Sequence, residues 1–166
     1  MPSELVGTSV IFVKVAPGYV ERTLTTLRAK PNVAKAEAVF GRHDIAVAGS
    51  FRDSDELRKF QSEVQLMDKV RGFRSYPALQ NWTQKGTDGH ASNAYLLIRS
   101  TDTQKTMSEL KNVPEIQEII GTTGDSDIVA RISAAPRENL LESVVTKVQG
   151  MHGVLSTETL PTFSKY

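Results

Sequence analysis

An α+β architecture, two tandem β-α-β-β-α-β units, is predicted for this 166-residue chain. Three observations predict it. Gly41-Arg42-His43-Asp44-Ile45 recurs 83 positions later as Gly124-Asp125-Ser126-Asp127-Ile128, and Leu24, Leu27 and Pro31 fall on Met107, Leu110 and Pro114. Each half alternates short β-branched or aromatic runs with apolar stripes at helical spacing. Between the halves, Asn81 to Ser92 is polar and carries Lys85-Gly86-Thr87-Asp88-Gly89, the composition of a boundary. The units are expected at residues 8–80 and 93–163.

The first strands are Thr8 to Val15 and Ala94 to Arg99, holding the runs Val10-Ile11-Phe12-Val13 and Ala94-Tyr95-Leu96-Leu97-Ile98. The 83-residue offset sets the former run against Asn93 to Leu96. The first helices start near Pro17-Gly18 and at Thr101, where Thr101-x-x-Gln104 fits a capping box. Val20, Leu24 and Leu27 form one apolar stripe, Met107 and Leu110 a shorter one. Pro31 and Pro114 end these helices, because proline lacks an amide donor and clashes with the preceding turn. Strands follow at Val33 to Phe40 and Ile116 to Thr122. The turns Gly41 to Asp44 and Gly124 to Asp127 then return the chain as Ile45 to Ser50 and Ile128 to Ser133. Asp53-x-x-Glu56 caps the next helix, and Pro136 opens its counterpart. From here the offset reads as 81, which sets Phe60, Val64, Met67 and Val70 against Leu141, Val145, Val148 and Met151. Gly72 and Gly153 lead into the last strands, with Tyr76-Pro77 standing where the second half has Thr157-Glu158.

Such a unit makes a four-stranded antiparallel sheet with both helices on one face and the other face open. A unit of roughly 80 residues is marginal alone. The open faces are therefore expected to be covered by sheet-to-sheet packing, within the chain or between chains, and a dimer or larger assembly is expected.

Composition excludes several classes. Hydrophobic residues make up 39% and charged residues 23%, as in a folded domain and unlike a disordered one. The net charge of +1 gives no general attraction to nucleic acid or anionic membrane. Apolar runs fall far short of the roughly 20 residues of a membrane span, and Met1 to Thr8 lacks the pattern of a secretory signal. Without cysteine there is neither a disulfide nor a thiolate ligand, and a cytoplasmic protein without cofactor is expected. His43, His90 and His152 have no metal-binding spacing, so neither a metal site nor a catalytic residue is assigned. The charge is divided: residues 1–86 hold 13 basic and 9 acidic groups, residues 87–166 hold 7 and 10. Opposite signs favour pairing of unlike halves.

Gly124-Asp125-Ser126-Asp127-Ile128, the segment Val148-Gln149-Gly150-Met151-His152-Gly153-Val154 and Ser156-Thr157-Glu158-Thr159-Leu160 together resemble the effector-binding (RAM) domain of the Lrp/AsnC transcription regulators. The resemblance is strong over about Asn93 to Phe163 and weaker over Ser9 to Leu79. It implies ferredoxin-like units that bind an amino acid or similar metabolite and assemble into dimers and octamers. Four chains of this tandem form would match eight single domains. Family members usually carry a helix-turn-helix before this domain; with only eight or nine residues before the first strand, none is expected here. The chain is thus expected to bind no specific DNA sequence and to modulate transcription through a DNA-binding family member.

Glycine at the head of the turn permits positive φ and exposes amides that can hold a carboxylate. The resemblance implicates Gly124, Asp125 and Asp127 of this turn, with Thr157 and Thr159 of the last strand, in holding the effector. Asp127 or Asp125 would face its ammonium group. Gly41, Arg42, His43 and Asp44 form a divergent counterpart in the first half. A ligand-free oligomerisation scaffold and a small ferredoxin-like enzyme are the alternatives.

Overall fold

The apolar runs become central strands covered on both faces. The computed structural model describes residues 4–84, 94–133 and 144–162. Expected features at Lys85–Gly89, His90, Asn93, Pro136, Leu141 and Phe163 lie outside the described residues. In chain order the elements are β1 (Ser9–Val15), α1 (Val20–Arg28), β2 (Val33–Ala38), β3 (Ile45–Gly49), α2 (Ser54–Gln65), β4 (Val70–Tyr76) and β5 (Gln80–Thr83). Then follow β6 (Ala94–Ser100), α3 (Thr103–Leu110), β7 (Ile116–Gly121), β8 (Ile128–Ile132), a helical stretch α4 at 144–149 and β9 (Val154–Pro161).

All strand pairs are antiparallel, in two sheets ordered β2-β3-β1-β4 and β5-β7-β8-β6-β9. Side chains alternate across a strand. In β1, Ile11, Val13 and Val15 join Leu24, Leu27, Leu57, Phe60 and Val64 in a helix-side core. In β6, Leu96 and Ile98 do the same with Met107, Leu110, Val144 and Val148. The intervening Val10, Phe12, Tyr95 and Leu97 point the other way, into a third core shared by both sheets and completed by Val39, Ala46, Tyr76, Ala78, Ile120, Val129 and Leu160. Strands buried on both faces read as continuous hydrophobic runs, which is why neither run alternates. The two open faces thus cover each other within one chain. The uncovered-face argument for association between chains accordingly falls away.

Four expectations need correction. The second sheet has five strands, because residues 80–83 of the expected linker pair with β7 as β5. This gives the backbone groups of Gln80 to Thr83 partners at the sheet edge. The cap of α3 is Asp102, whose Oδ1 accepts from Lys105 N at 3.2 Å. Thr101 is tied elsewhere, since its amide donates to Gly153 O at 2.8 Å. Asp53 caps α2 as expected, accepting from Glu56 N at 2.9 Å.

The repeat register also changes. Val13 pairs with Ile45 as Ile98 pairs with Ile128, so β1 and β6 correspond at an offset of 85, not 83. Toward the end the offset is 84, not 81. Val10 pairs with Tyr76 where Tyr95 pairs with Leu160, so Arg74, Ser75, Tyr76 and Pro77 correspond to Glu158, Thr159, Leu160 and Pro161. Met67 and Met151 then occupy the same position, their amides bonded to Val64 O and Val148 O, both at 3.1 Å. The glycine match failed because Gly153, at φ +89°, corresponds to Lys69, at φ +72°. A non-glycine residue holds the left-handed position in the first unit, so pairing Gly72 with Gly153 slipped the register.

Each unit also sends its last strand across to the other. Beyond Pro77, Leu79 N donates to Gly121 O at 2.9 Å as the chain enters β5. Beyond β9, Val39 and Thr162 form a bridge, and Phe40 N donates to Pro161 O at 2.9 Å. The crossing is mutual.

Candidate functional site at the junction of the two units

The Gly-led turns form as expected, with Gly41 at φ +117° and Gly124 at φ +119°. Their aspartates are occupied. Asp127 Oδ2 accepts from Ser100 N at 2.9 Å, while its own amide donates to Ile98 O at 2.9 Å. Asp44 repeats both bonds, to Val15 N at 2.8 Å and Val13 O at 2.9 Å. Each carboxylate therefore pins its turn to the end of the central strand.

Asp125 has a different task. Its carboxylate accepts from Tyr76 Oη at 2.7 Å and pairs with Arg74, both from the first unit. Arg74, Ser75, Tyr76 and Asp125 line an open cavity of about 180 Å³. On the matching side, Arg42 grips Glu158 with Nε 2.9 Å from Oε2 and Nη2 on the other carboxylate oxygen. The bond from Arg42, with its charge, holds the Glu158 carboxyl below the usual range against the opposing effect of burial.

The expected site residues do not all converge. Gly124 and Asp125 stand at this junction. Thr157 and Thr159 pair with Ile98 and Leu96, which face the helix-side core, and cross-strand partners share a face. Thr157 Oγ1 accepts from Gln149 Nε2 at 3.2 Å. Glu158, on the opposite face of β9, is the one that reaches the junction. Among the first-half candidates, Arg42 and His43 reach it too, whereas Asp44 is structural. Arg74 and Glu158 were missed as site residues. The signal in the sequence was the charge difference between the halves, since Arg42 and Arg74 lie in the basic half and Asp125 and Glu158 in the acidic one. Trp82, in β5, packs against the helix-side core of the second unit.

His43 is 8% exposed, with its ring 5.9 Å from that of Phe12, and its Nδ1 has no hydrogen-bond partner among the described residues. Burial depresses its pKa from the usual 6.5; the charges of Arg42, Arg74 and Lys14 act the same way, and Glu158 opposes them. The folded chain thus resists a proton that the unfolded chain accepts. Stability is expected to fall as pH drops below about 6.5 and to level off below the folded value. Glu158, depressed by Arg42, adds a separate loss as pH falls through the ordinary carboxylate range near 4.5. His43→Ser, which installs the residue of the equivalent position Ser126, should remove the upper loss. Urea midpoints at pH 7.5 and pH 5.5 check this; equal pH sensitivity in the variant refutes it.

Among the described residues, no group of three or more His, Asp or Glu side chains is placed to hold a metal ion. Among the same residues, no helix is long and apolar enough to cross a membrane.

Two ferredoxin-like units, packed sheet to sheet with the turn of each meeting the last strand of the other at a charged junction, define a tandem α+β architecture. The family model of the Lrp/AsnC ligand-binding domain matches residues 8–87 and again 94–166, and the chain belongs to this family. No curated protein matches the chain. Among solved structures, it is similar to the hypothetical protein PHS023 from Pyrococcus horikoshii, with 22% identity over 52% of this chain and 100% of that one, at a TM-score of 0.42.

Proposed function

We propose that this chain senses an amino acid or similar small zwitterion at the junction and modulates transcription through a DNA-binding partner of the same family. Membership of a ligand-binding family supports the regulatory, effector-binding part of the reading. The observation that carries the ligand class is the cavity of about 180 Å³ lined by Arg74, Ser75, Tyr76 and Asp125. A guanidinium and a carboxylate side by side complement the two ends of a zwitterion: Arg74 takes the carboxylate and Asp125 the ammonium. Apart from its chain neighbours, Gly124, beside Asp125, has no atom of the described residues within 4 Å of where a Cβ would stand, so the turn leaves space for a ligand to approach. Ligand entry exchanges the Arg74–Asp125 pair for two pairs with the ligand, and Tyr76 supplies a hydroxyl; the Ser75 side chain is on the helix face of β4, where its Oγ accepts from Gln61 Nε2 at 2.6 Å. Association between chains, with four chains standing for eight units, belongs to the same proposal and would use surfaces other than the sheet faces.

Isothermal titration of the full chain with the twenty amino acids tests the reading. One class should bind at millimolar affinity or better. A charge-assisted bond is worth about 1.5–3 kcal/mol, so Arg74→Ala and Asp125→Ala should each weaken that binding roughly 10- to 150-fold. Asp127→Asn should leave it within about twofold. If no amino acid binds, the sensor reading fails and the scaffold reading replaces it. If one binds and neither Arg74→Ala nor Asp125→Ala matters, the site lies elsewhere.

A further inference from the structure

The strand registers place Arg42 and Asp125 at the same position of the two units, and Arg74 and Glu158 likewise. Both turns return to β3 or β8 at an offset of 83, and both last strands pair with the central strand at 84 relative to each other. Across the junction, the turn of each unit meets the last strand of the other: Arg42 with Glu158, and Asp125 with Arg74. These are one contact made twice about an approximate twofold axis, with the signs reversed the second time. Within a unit the two positions carry like charge, both basic in the first and both acidic in the second.

We propose that these four side chains select the pairing of the first unit with the second and act against pairing of either unit with its own kind in another copy of the chain. The apolar faces alone do not settle the choice. The first unit contributes Val, Ala and aromatic side chains and the second Val, Ile, Leu and Tyr95, and hydrophobic burial is non-directional. A twofold pairing of two first units would bring Arg42 of each against Arg74 of the other. A pairing of two second units would bring Asp125 against Glu158 twice. Like-charge contact suppresses wrong partners even where the matching pairs, exposed as these are, add little stability. Covalent connection does not by itself exclude exchange of units between copies of a chain, so the charges supply a selection that connection does not.

The test uses the full chain in two charge-reversed forms. With Arg74→Glu and Asp125→Arg together, both crossings within the chain remain opposite in sign. Each unit then holds one base and one acid, and like pairing is no longer penalised. With Arg42→Glu and Glu158→Arg added, every sign is reversed and like pairing is penalised again. Unfolding in urea and refolding at high protein concentration, followed by analytical ultracentrifugation, reads the outcome. The double variant should gain a species of higher mass than the native one. Wild type and the quadruple variant should return to the native species alone. If the double variant refolds without the added species, or the quadruple variant forms as much of it, the proposal is overturned. Should the double variant fail to fold while the quadruple variant folds, its reversed pair is not tolerated within the chain, and the proposal is overturned as well.

Discussion

Replacing Phe12 by alanine is expected to lower the unfolding free energy by about 3–5 kcal/mol, the range for truncating a large buried aromatic. Phe12 is fully buried on β1. Its ring stands edge-on to Tyr76 at 5.8 Å and to Tyr95 at 5.7 Å, one from each sheet, and lies 5.9 Å from His43. Removing it opens a void where neither sheet can close without shifting the other. Because the void belongs to the core shared by both units, the loss should appear in both at once. Urea unfolding followed by Trp82 fluorescence reports from the second unit, although the substitution is in the first. Circular dichroism should give the same midpoint. A change under about 1 kcal/mol, or Trp82 reporting an unshifted transition, would show that the sheets do not depend on each other.

The second large effect belongs to Asp127. Asp127→Ala should cost about 1–3 kcal/mol, because the amide of Ser100 loses its acceptor in a part-buried setting. Asp127→Asn keeps an oxygen for that amide and should retain most of the stability. Asp44→Ala should cost about as much as Asp127→Ala, since Asp44 makes the same pair of bonds with Val15 and Val13. Thermal unfolding of the three variants decides this. A stable Asp127→Ala protein would mean that the bond to Ser100 contributes nothing and would return Asp127 to the list of candidate ligand contacts.

The fold was legible in the sequence because the repeat preserved its turn chemistry and its helix stripes. The alignment of the central strands was not. Moving β1 by two residues against β6 preserves which side chains share a face, so an unbroken run such as Val10 to Val13 carries no mark of its register. The last strand was misread for another reason. Position 69 is held at positive φ by lysine, and matching glycines therefore displaced the strand by an odd number of residues. An odd displacement exchanges the faces. It hid the correspondence of Arg74 with Glu158, and with it the junction. Thr157 and Thr159 were rightly read as sharing one face, but that face turns out to look toward the helices. The pairs Arg42–Glu158 and Arg74–Asp125 join residues 116 and 51 positions apart, and no local pattern announces a contact at such range.

Fusion of the two units has a consequence for stoichiometry. A dimer of identical single units must offer each interface feature twice, because its symmetry copies every residue. Here the counterpart of Arg74, Ser75, Tyr76 and Asp125 consists of Glu158, Thr159, Leu160 and Arg42, in which the charges are reversed and the phenol is replaced by an aliphatic chain. A ligand oriented by its own dipole meets these two places as opposites. Both places set a guanidinium beside a carboxylate, so under the proposed function only a ligand that also engages the Tyr76 phenol would be bound once per chain rather than once per unit.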